Sequence, residues 1–254
     1  MGKFIVVFQL LAVIILISAC NGKIVYNEKG KNKGLSNTMK DEYENKVIRY
    51  VAIGDSYTKG EGAEPYESWA AVLSRHLKSI GIDMELVANP STSGWTSNQA
   101  IEYGLPVLRE SNPDFATLQI GVNDWVQGVD EENFRKGFIF LIEEMNKTLP
   151  KNRLLVVTIP DFSTTPNGKM YGGGRNISEG ILRFNEIIKE ESEKRGIKVA
   201  DIFTVSKGMA KNPILVAKDG LHPSSEEYKI WEEIIYPIAY GMLKRVDVDC
   251  TPLF

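Results

Sequence analysis

From residue 47 onward the chain alternates short apolar runs with amphipathic stretches, and few folds accommodate that order. Strands are predicted at 48–53 (Ile-Arg-Tyr-Val-Ala-Ile), 84–88, 115–120, 153–159 and 197–202. Helical periods lie between and after them, at 67–80, 96–110, 131–148, 177–195 and 224–243. Helices of this length between strands provide the long crossover that parallel strands require, and apolar strands suit a sheet covered on both faces. Five such units predict an α/β chain with a three-layer α/β/α sandwich around a five-stranded parallel sheet, flavodoxin-like in architecture. The 254 residues suffice for one such domain, and no second core or internal repeat is visible.

The N-terminal part is different material. Lys3 precedes an apolar run from Phe4 to Ala19, interrupted by Gln9 and Ser18 and followed by Cys20. A positive start, an apolar stretch and small residues at a cleavage point describe an export signal. The placement of Cys20 directly after Ser18-Ala19 resembles a bacterial lipobox. That resemblance implies removal of residues 1–19, a lipid on the Cys20 thiol, and a protein held at a bacterial membrane outside the cytoplasm. An uncleaved anchor and an ordinary secretory signal are the other readings; 16 residues fall short of the roughly 20 that span hydrocarbon comfortably.

Residues 20–46 read as a flexible linker beginning at that cysteine. From 21 to 46 there are six Lys and four acidic residues with almost no apolar periodicity, so ordering the segment would bury too little surface to offset its entropy. As a coil it reaches about 30 Å, enough to hold a domain clear of a bilayer. The folded domain is expected at 47–245 and a C-terminal tail at 246–254. With Cys20 lipidated, Cys250 has no partner in the chain, and no disulfide framework supports the fold.

In an open parallel sheet, ligands sit outside the carboxyl ends of the strands. Each unusual cluster of this chain follows a predicted strand: Gly54-Asp55-Ser56-Tyr57-Thr58-Lys59-Gly60-Glu61-Gly62 after the first, Asn89-Pro90-Ser91-Thr92-Ser93-Gly94-Trp95 after the second, Gly121-Val122-Asn123-Asp124 after the third, and Asp219-Gly220-Leu221-His222-Pro223 ahead of the last helix. A serine hydroxyl becomes a useful nucleophile when a base removes its proton, and histidine is the usual base near neutral pH. There are two histidines. His76 lies inside an amphipathic helix and suits a boundary role. His222 stands three residues after Asp219, and Gly220 allows the turn that returns the carboxylate to the imidazole. Pro223 suits the first turn of the helix that follows. Backbone N–H groups at Ser56 and Gly94 and the side chain of Asn123 offer donors for a developing oxyanion, although Gly94 also reads as a loop glycine and Asn123 as a turn cap.

These four blocks, in this order, resemble those of the SGNH (GDSL-like) hydrolase superfamily over residues 48–240. The resemblance implies a serine ester hydrolase in which Ser56 is the nucleophile, His222 the base and Asp219 its orienting partner. Ser56, Gly94 and Asn123 form the implied oxyanion hole. Tyr57 stands where leucine is usual. The implied substrates are small acyl esters, lysophospholipids or O-acetylated glycans. An acyltransferase with a sugar acceptor and a non-catalytic lipoprotein binding a glycan or a partner are the competing functions.

Other chemistries fit poorly. The serine lacks the second glycine of a Gly-x-Ser-x-Gly elbow, and no phosphate-binding Gly-x-x-x-x-Gly-Lys-Ser/Thr loop occurs. Two histidines and at most one free thiol cannot build a His/Cys zinc cluster, so neither metal nor organic cofactor is expected. A net charge of −3 gives no electrostatic reason for a nucleic-acid partner. Tyr57, Trp95 and Trp125 are either pocket walls or packing, and 161–176 is either a flap or a plain connection.

Overall fold

The computed structural model describes residues 47–244. The signal, Cys20, the linker and the tail around Cys250 lie outside the described residues.

The sheet is parallel throughout, in the order β2-β1-β3-β4-β5. Its strands are β1 (Ile48–Gly54), β2 (Met84–Ala88), β3 (Phe115–Gln119), β4 (Leu154–Val157) and β5 (Lys198–Ala200). The helices are α1 (Ser56–Lys59), α2 (Trp69–Ser79), α3 (Ser97–Gln99), α4 (Leu105–Ser111), α5 (Val122–Val126), α6 (Glu131–Thr148), α7 (Ile177–Lys194), α8 (Phe203–Ser206) and α9 (Ser225–Leu243). All five expected strands and the α/β/α sandwich are present, with β4 and β5 shorter than their apolar runs. The expected helix over 96–110 is continuous in path but not in hydrogen bonding. Between α3 and α4 the chain takes a π turn, in which the Leu105 N–H bonds to the Ala100 carbonyl. Pro106, next in the chain, has no N–H with which to continue an α ladder.

Apolar side chains cover both faces of the sheet, as the near-continuous strand patterns required. All of Phe115–Gln119 and Tyr50–Gly54 is buried. Trp69 and Leu73 of α2, Phe134 and Phe138 of α6, Ile181 and Phe184 of α7, and Trp231 and Ile235 of α9 pack over it. Fully burying a side chain of this size contributes about 1.5–3 kcal/mol. Among the described residues the buried side-chain polar atoms are paired except Ser192 Oγ and one oxygen of Glu227; the Tyr50 hydroxyl meets Thr117 Oγ1 at 2.7 Å across β1 and β3. Asn185, wholly buried on α7, accepts from the Ile159 N–H and donates to its carbonyl, both at 2.8 Å. That side chain replaces the ladder partner which the chain loses on leaving β4.

The strand order fixes where a site can form. After β1 the chain moves outward to β2, then crosses to β3 on the other side, so loops leaving β1 and β3 diverge and open a crevice at their carboxyl ends. Ser56 and Asn123 follow those two strands.

Glu227 is a buried exception to polar pairing. The Trp231 indole N–H donates to its Oε1 at 2.6 Å, while Oε2 has no partner among the described residues. Burial pushes its carboxyl up to about 7, which the indole bond only partly opposes. A proton held more tightly in the folded chain gives stability that is fully present below the unfolded value and lost as pH rises through about 7. Glu227→Gln should therefore stabilise the protein more at pH 8 than at pH 5, by on the order of 1 kcal/mol in denaturant titrations. An equal effect at both pH values would contradict the buried-carboxyl assignment.

Candidate active site

The loops after β1, β2, β3 and β5 are held together by specific hydrogen bonds. Asp55, buried at the end of β1, caps α1 by accepting from the Tyr57 N–H at 3.0 Å. Burial pushes its carboxyl up to about 7; the Tyr57 N–H bond lowers it, and the Asp124 charge adds to the rise. Ser56 is the first residue of this one-turn helix, and its carbonyl accepts from the N–H groups of Gly60 and Glu61. Close packing under α1 excludes a side chain at Gly54: a Cβ there would stand 2.4 Å from the Gln119 carbonyl oxygen.

Asp219 carries the clearest geometry. Its Oδ2 lies 2.6 Å from His222 Nδ1, and its Oδ1 accepts from the Leu221 and His222 N–H groups at 2.8 and 3.0 Å. One carboxylate thus folds the loop and orients the imidazole. Partial burial works to raise the Asp219 carboxyl, but the bonds from the His222 ring and the two backbone N–H groups outweigh it and hold it below its ordinary value. Gly220 takes φ +71°, the left-handed turn expected between the two residues. Pro223 differs from expectation. It lies ahead of the helix, Ser224 caps α9 through the Glu227 N–H, and Pro223 pairs with Val216 in an isolated antiparallel bridge.

The turn after Ser56 and the histidine loop touch. Gly62 has φ +93°, and a Cβ there would lie 2.6 Å from Ala217 Cβ, 2.7 Å from the Pro223 carbonyl oxygen and 3.1 Å from His222 Cβ. The Tyr57 ring packs edge-on to the His222 imidazole, with centroids 5.9 Å apart, and edge-on to Trp231 at 5.8 Å. Tyr57 is therefore a buried support for the imidazole and not an open pocket wall.

The expected oxyanion donors also share a framework. Gly94 has φ +88°, and the space that a Cβ would fill is open for 4 Å. The Asn123 amide donates one hydrogen to the Trp95 carbonyl at 2.9 Å, which orients the group and leaves the second hydrogen for a ligand. Buried Asp124 accepts from the Ser97 N–H at 2.8 Å and the Ser97 hydroxyl at 2.5 Å, tying α5 to the segment after Gly94. Ser93 donates to Glu61 Oε2 at 2.6 Å, and Asn89 to the Thr58 carbonyl at 2.9 Å, joining the β2 loop to the turn after Ser56.

Segment 161–176 is a positioned connection. The Asn167 side-chain amide donates to the Asp219 carbonyl at 2.6 Å, and its N–H donates to the Gly220 carbonyl at 2.8 Å. Arg175 stacks over Trp125 at 4.1 Å and donates to the carbonyls of Trp125 and Val126. The segment thereby links the histidine loop to the end of α5. Trp125 is buried under Arg175 and edge-on to Phe162, and Trp95 lies against Tyr103, so both pack. His76 holds the boundary position expected of it, stacked on Tyr236 and 3.0 Å from Glu232. Asn167 and Arg175 are supports that local sequence pattern did not mark, and the supporting contacts of Gly62 and of the Ser93–Glu61 pair were not readable from the blocks that contain them.

Comparison with known proteins decides the lineage. Residues 52–230 match the GDSL-like Lipase/Acylhydrolase family. The chain belongs to that family. It is accordingly a carboxylic ester hydrolase. It is 26% identical to the esterase TesA of Pseudomonas aeruginosa, over 76% of this chain and 88% of that one. It is 24% identical to the spore germination lipase LipC of Bacillus licheniformis, over 78% of this chain and 99% of the relative. The crystal structure of a lipase/acylhydrolase from Enterococcus faecalis superposes with a TM-score of 0.62 at 20% identity, covering 79% of this chain and all of the other. The shared fold is the parallel α/β sandwich described above.

Two glycines separate backbone cost from site geometry. Gly62 and Gly81 have φ +93° and +90°, but a Cβ at Gly81 meets nothing within 4 Å. Either Gly→Ala substitution costs about 1–2 kcal/mol of backbone strain. Gly62→Ala should in addition lower ester turnover at least about tenfold in the folded protein, since a displacement near 1 Å at reacting groups costs rate on that scale or more. Gly81→Ala should leave turnover unchanged. Equal turnover in the two variants would show that the contact with the histidine loop does not position the site.

Proposed function

We propose that this hydrolase works through an acyl-enzyme on Ser56, with His222 as base, Asp219 as orienting carboxylate, and the N–H groups of Ser56, Gly94 and the Asn123 side chain as oxyanion donors. The observation that carries the reading is the 2.6 Å Asp219–His222 contact in a loop packed against the nucleophile turn. With Nδ1–H held by Asp219, the other ring nitrogen, Nε2, is left to accept a proton. It takes the Ser56 hydroxyl proton as Oγ bonds to the ester carbonyl carbon. The carbonyl π pair moves to oxygen, where the N–H groups meet the charge as it forms. Collapse breaks the ester C–O bond, and the leaving alkoxide takes the proton from His222. Water then repeats the sequence on the acyl group, its proton passing to His222 and finally back to Ser56. No step uses a metal or organic cofactor.

The substrates that fit the reading are small acyl esters, lysophospholipids or O-acetylated glycans, met outside the cytoplasm. The names of the relatives, an esterase and a lipase, support the ester class. The export pattern before Cys20 supports the location, with a lipid on that thiol tethering the domain to a bacterial membrane.

Asn123→Ala tests the chemistry. It should lower kcat by about 10² to 10³ with little change in KM, because its donor strengthens as charge develops. Ser56→Ala or His222→Ala should cost about 10⁴ to 10⁶. A folded Asn123→Ala protein with normal kcat would remove Asn123 from the oxyanion hole. For the tether, Cys20→Ala should move the mature protein from the detergent phase to the aqueous phase in detergent partitioning. Unchanged partitioning would exclude the lipidated cysteine.

A further inference from the structure

Charge is distributed unevenly around the catalytic edge. Within the segments after β4 and β5, the stretches 162–175 and 203–218, bounded by Asp161, Asp201 and Asp219, contain Lys169, Arg175, Lys207, Lys211 and Lys218 and no Asp or Glu. The turn after α1, which meets the second of these segments where Gly62 abuts Ala217, carries Glu61, Glu64 and Glu67. Several lysines elsewhere are paired, Lys78 with Asp83, Lys136 with Glu132, Lys189 with Asp201 and Lys229 with Glu226, while Lys151, Lys198 and Lys244 form no salt bridge among the described residues. Lys169, Lys211 and Lys218 are exposed and form no salt bridge among the described residues.

The same two segments expose large apolar side chains. Met170 is 71% exposed, Ile214 69% and Tyr171 43%. The segments face each other across one cleft of about 460 Å³, with Thr165, Pro166 and Lys169 on one wall and Met209, Pro213 and Val216 on the other. Gly220, the neighbour of Asp219, also lines it. Unpaired lysines interleaved with exposed Met, Ile and Tyr form a surface whose apolar tips suit the headgroup–acyl boundary and whose ammonium groups suit anionic headgroups.

We propose that the face formed by residues 162–175 and 203–218 docks on an anionic lipid bilayer. A soluble polyanion would satisfy the lysines but leave Met170 and Ile214 in water, so the apolar tips favour the bilayer. Docking by this face would bring the Asp219–His222 loop to the membrane surface, since Asn167 and Gly220 join the two. The proposal depends neither on Cys20 nor on the ester chemistry, because it concerns a surface and can be read without turnover.

The test is hydrogen–deuterium exchange on the full chain, free and with vesicles of phosphatidylcholine alone or mixed with phosphatidylglycerol. Amides of 164–175 and 207–218 should exchange several-fold more slowly on the mixed vesicles and at the free rate with phosphatidylcholine. The triple variant K169E/K211E/K218E should lose that protection. Each lysine at an anionic surface strengthens partitioning about fivefold, so three together are decisive. The M170S/I214S variant, with every charge intact, should weaken it. Exchange in these segments that is indifferent to phosphatidylglycerol would overturn the proposal. So would equal protection by soluble polyphosphate without vesicles, or protection that survives M170S/I214S unchanged, since either would assign the face to a polyanion. The exchange pattern of Ser56→Ala should match that of the native chain, which separates this test from the catalytic one.

Discussion

A parallel sheet buried on both faces has only its strand ends left to offer a substrate. In this protein the constraint is sharpened by the order β2-β1-β3-β4-β5, which sends the loops after β1 and β3 in opposite directions. The crevice so made holds Ser56 on one lip and Asn123 on the other, and every other functional group is organised around that pair. The β2 loop brings Gly94 to it through Asn89, Ser93 and the Trp95 carbonyl. The loop after β5 brings His222 through the contacts of Gly62 and Tyr57. The geometry of the candidate site is a consequence of how four loops are bonded to one another at the end of the sheet.

Carboxylates recur at this edge, three of them buried and Asp219 exposed, each accepting backbone or hydroxyl donors from the turn it organises. Asp55 caps α1, Asp124 holds Ser97, Asp161 accepts from Ser163 and Ser178, and Asp219 holds Leu221 and His222. Their charge states are not uniform. Burial pushes Asp55 up to about 7, and Asp124 also rises, whereas the donors around Asp219 hold it low. The difference fits the role proposed for Asp219: a group that is to stabilise an imidazolium needs to stay ionised, whereas one that caps a buried turn does not.

Most of the sheet was legible because periodicity is a local property: five apolar runs gave five strands, and the helices at 131–148 and 177–195 fell within a residue of α6 and α7. Ser56, Gly94, Asn123, Asp219 and His222 could be named as candidates because each stands in one of four short blocks, three of them after a strand and one ahead of the last helix, in a recognisable order. The supports could not. Asn167 reaches Asp219 across 52 residues, Arg175 caps α5 from 49 and 50 residues away, and Asp124 finds Ser97 across 27. Such pairings arise only once the sheet has placed the loops, and they come from polar segments without a period. Pro223 shows the same limit in small: its backbone joins Val216 in a bridge rather than the first turn of α9. The π turn ahead of Pro106 likewise lies within a stretch whose apolar spacing reads as an uninterrupted helix.

The central claim is that one serine among the chain's hydroxyl groups is made nucleophilic by the loop that Asp219 folds. Mass-spectrometric mapping after reaction with a fluorophosphonate tests it most directly, because the reagent bonds to an activated serine and marks its position. The account predicts a single adduct on Ser56, lost in His222→Ala while that variant remains folded. An adduct on another residue, or labelling of Ser56 at an undiminished rate without His222, would contradict it.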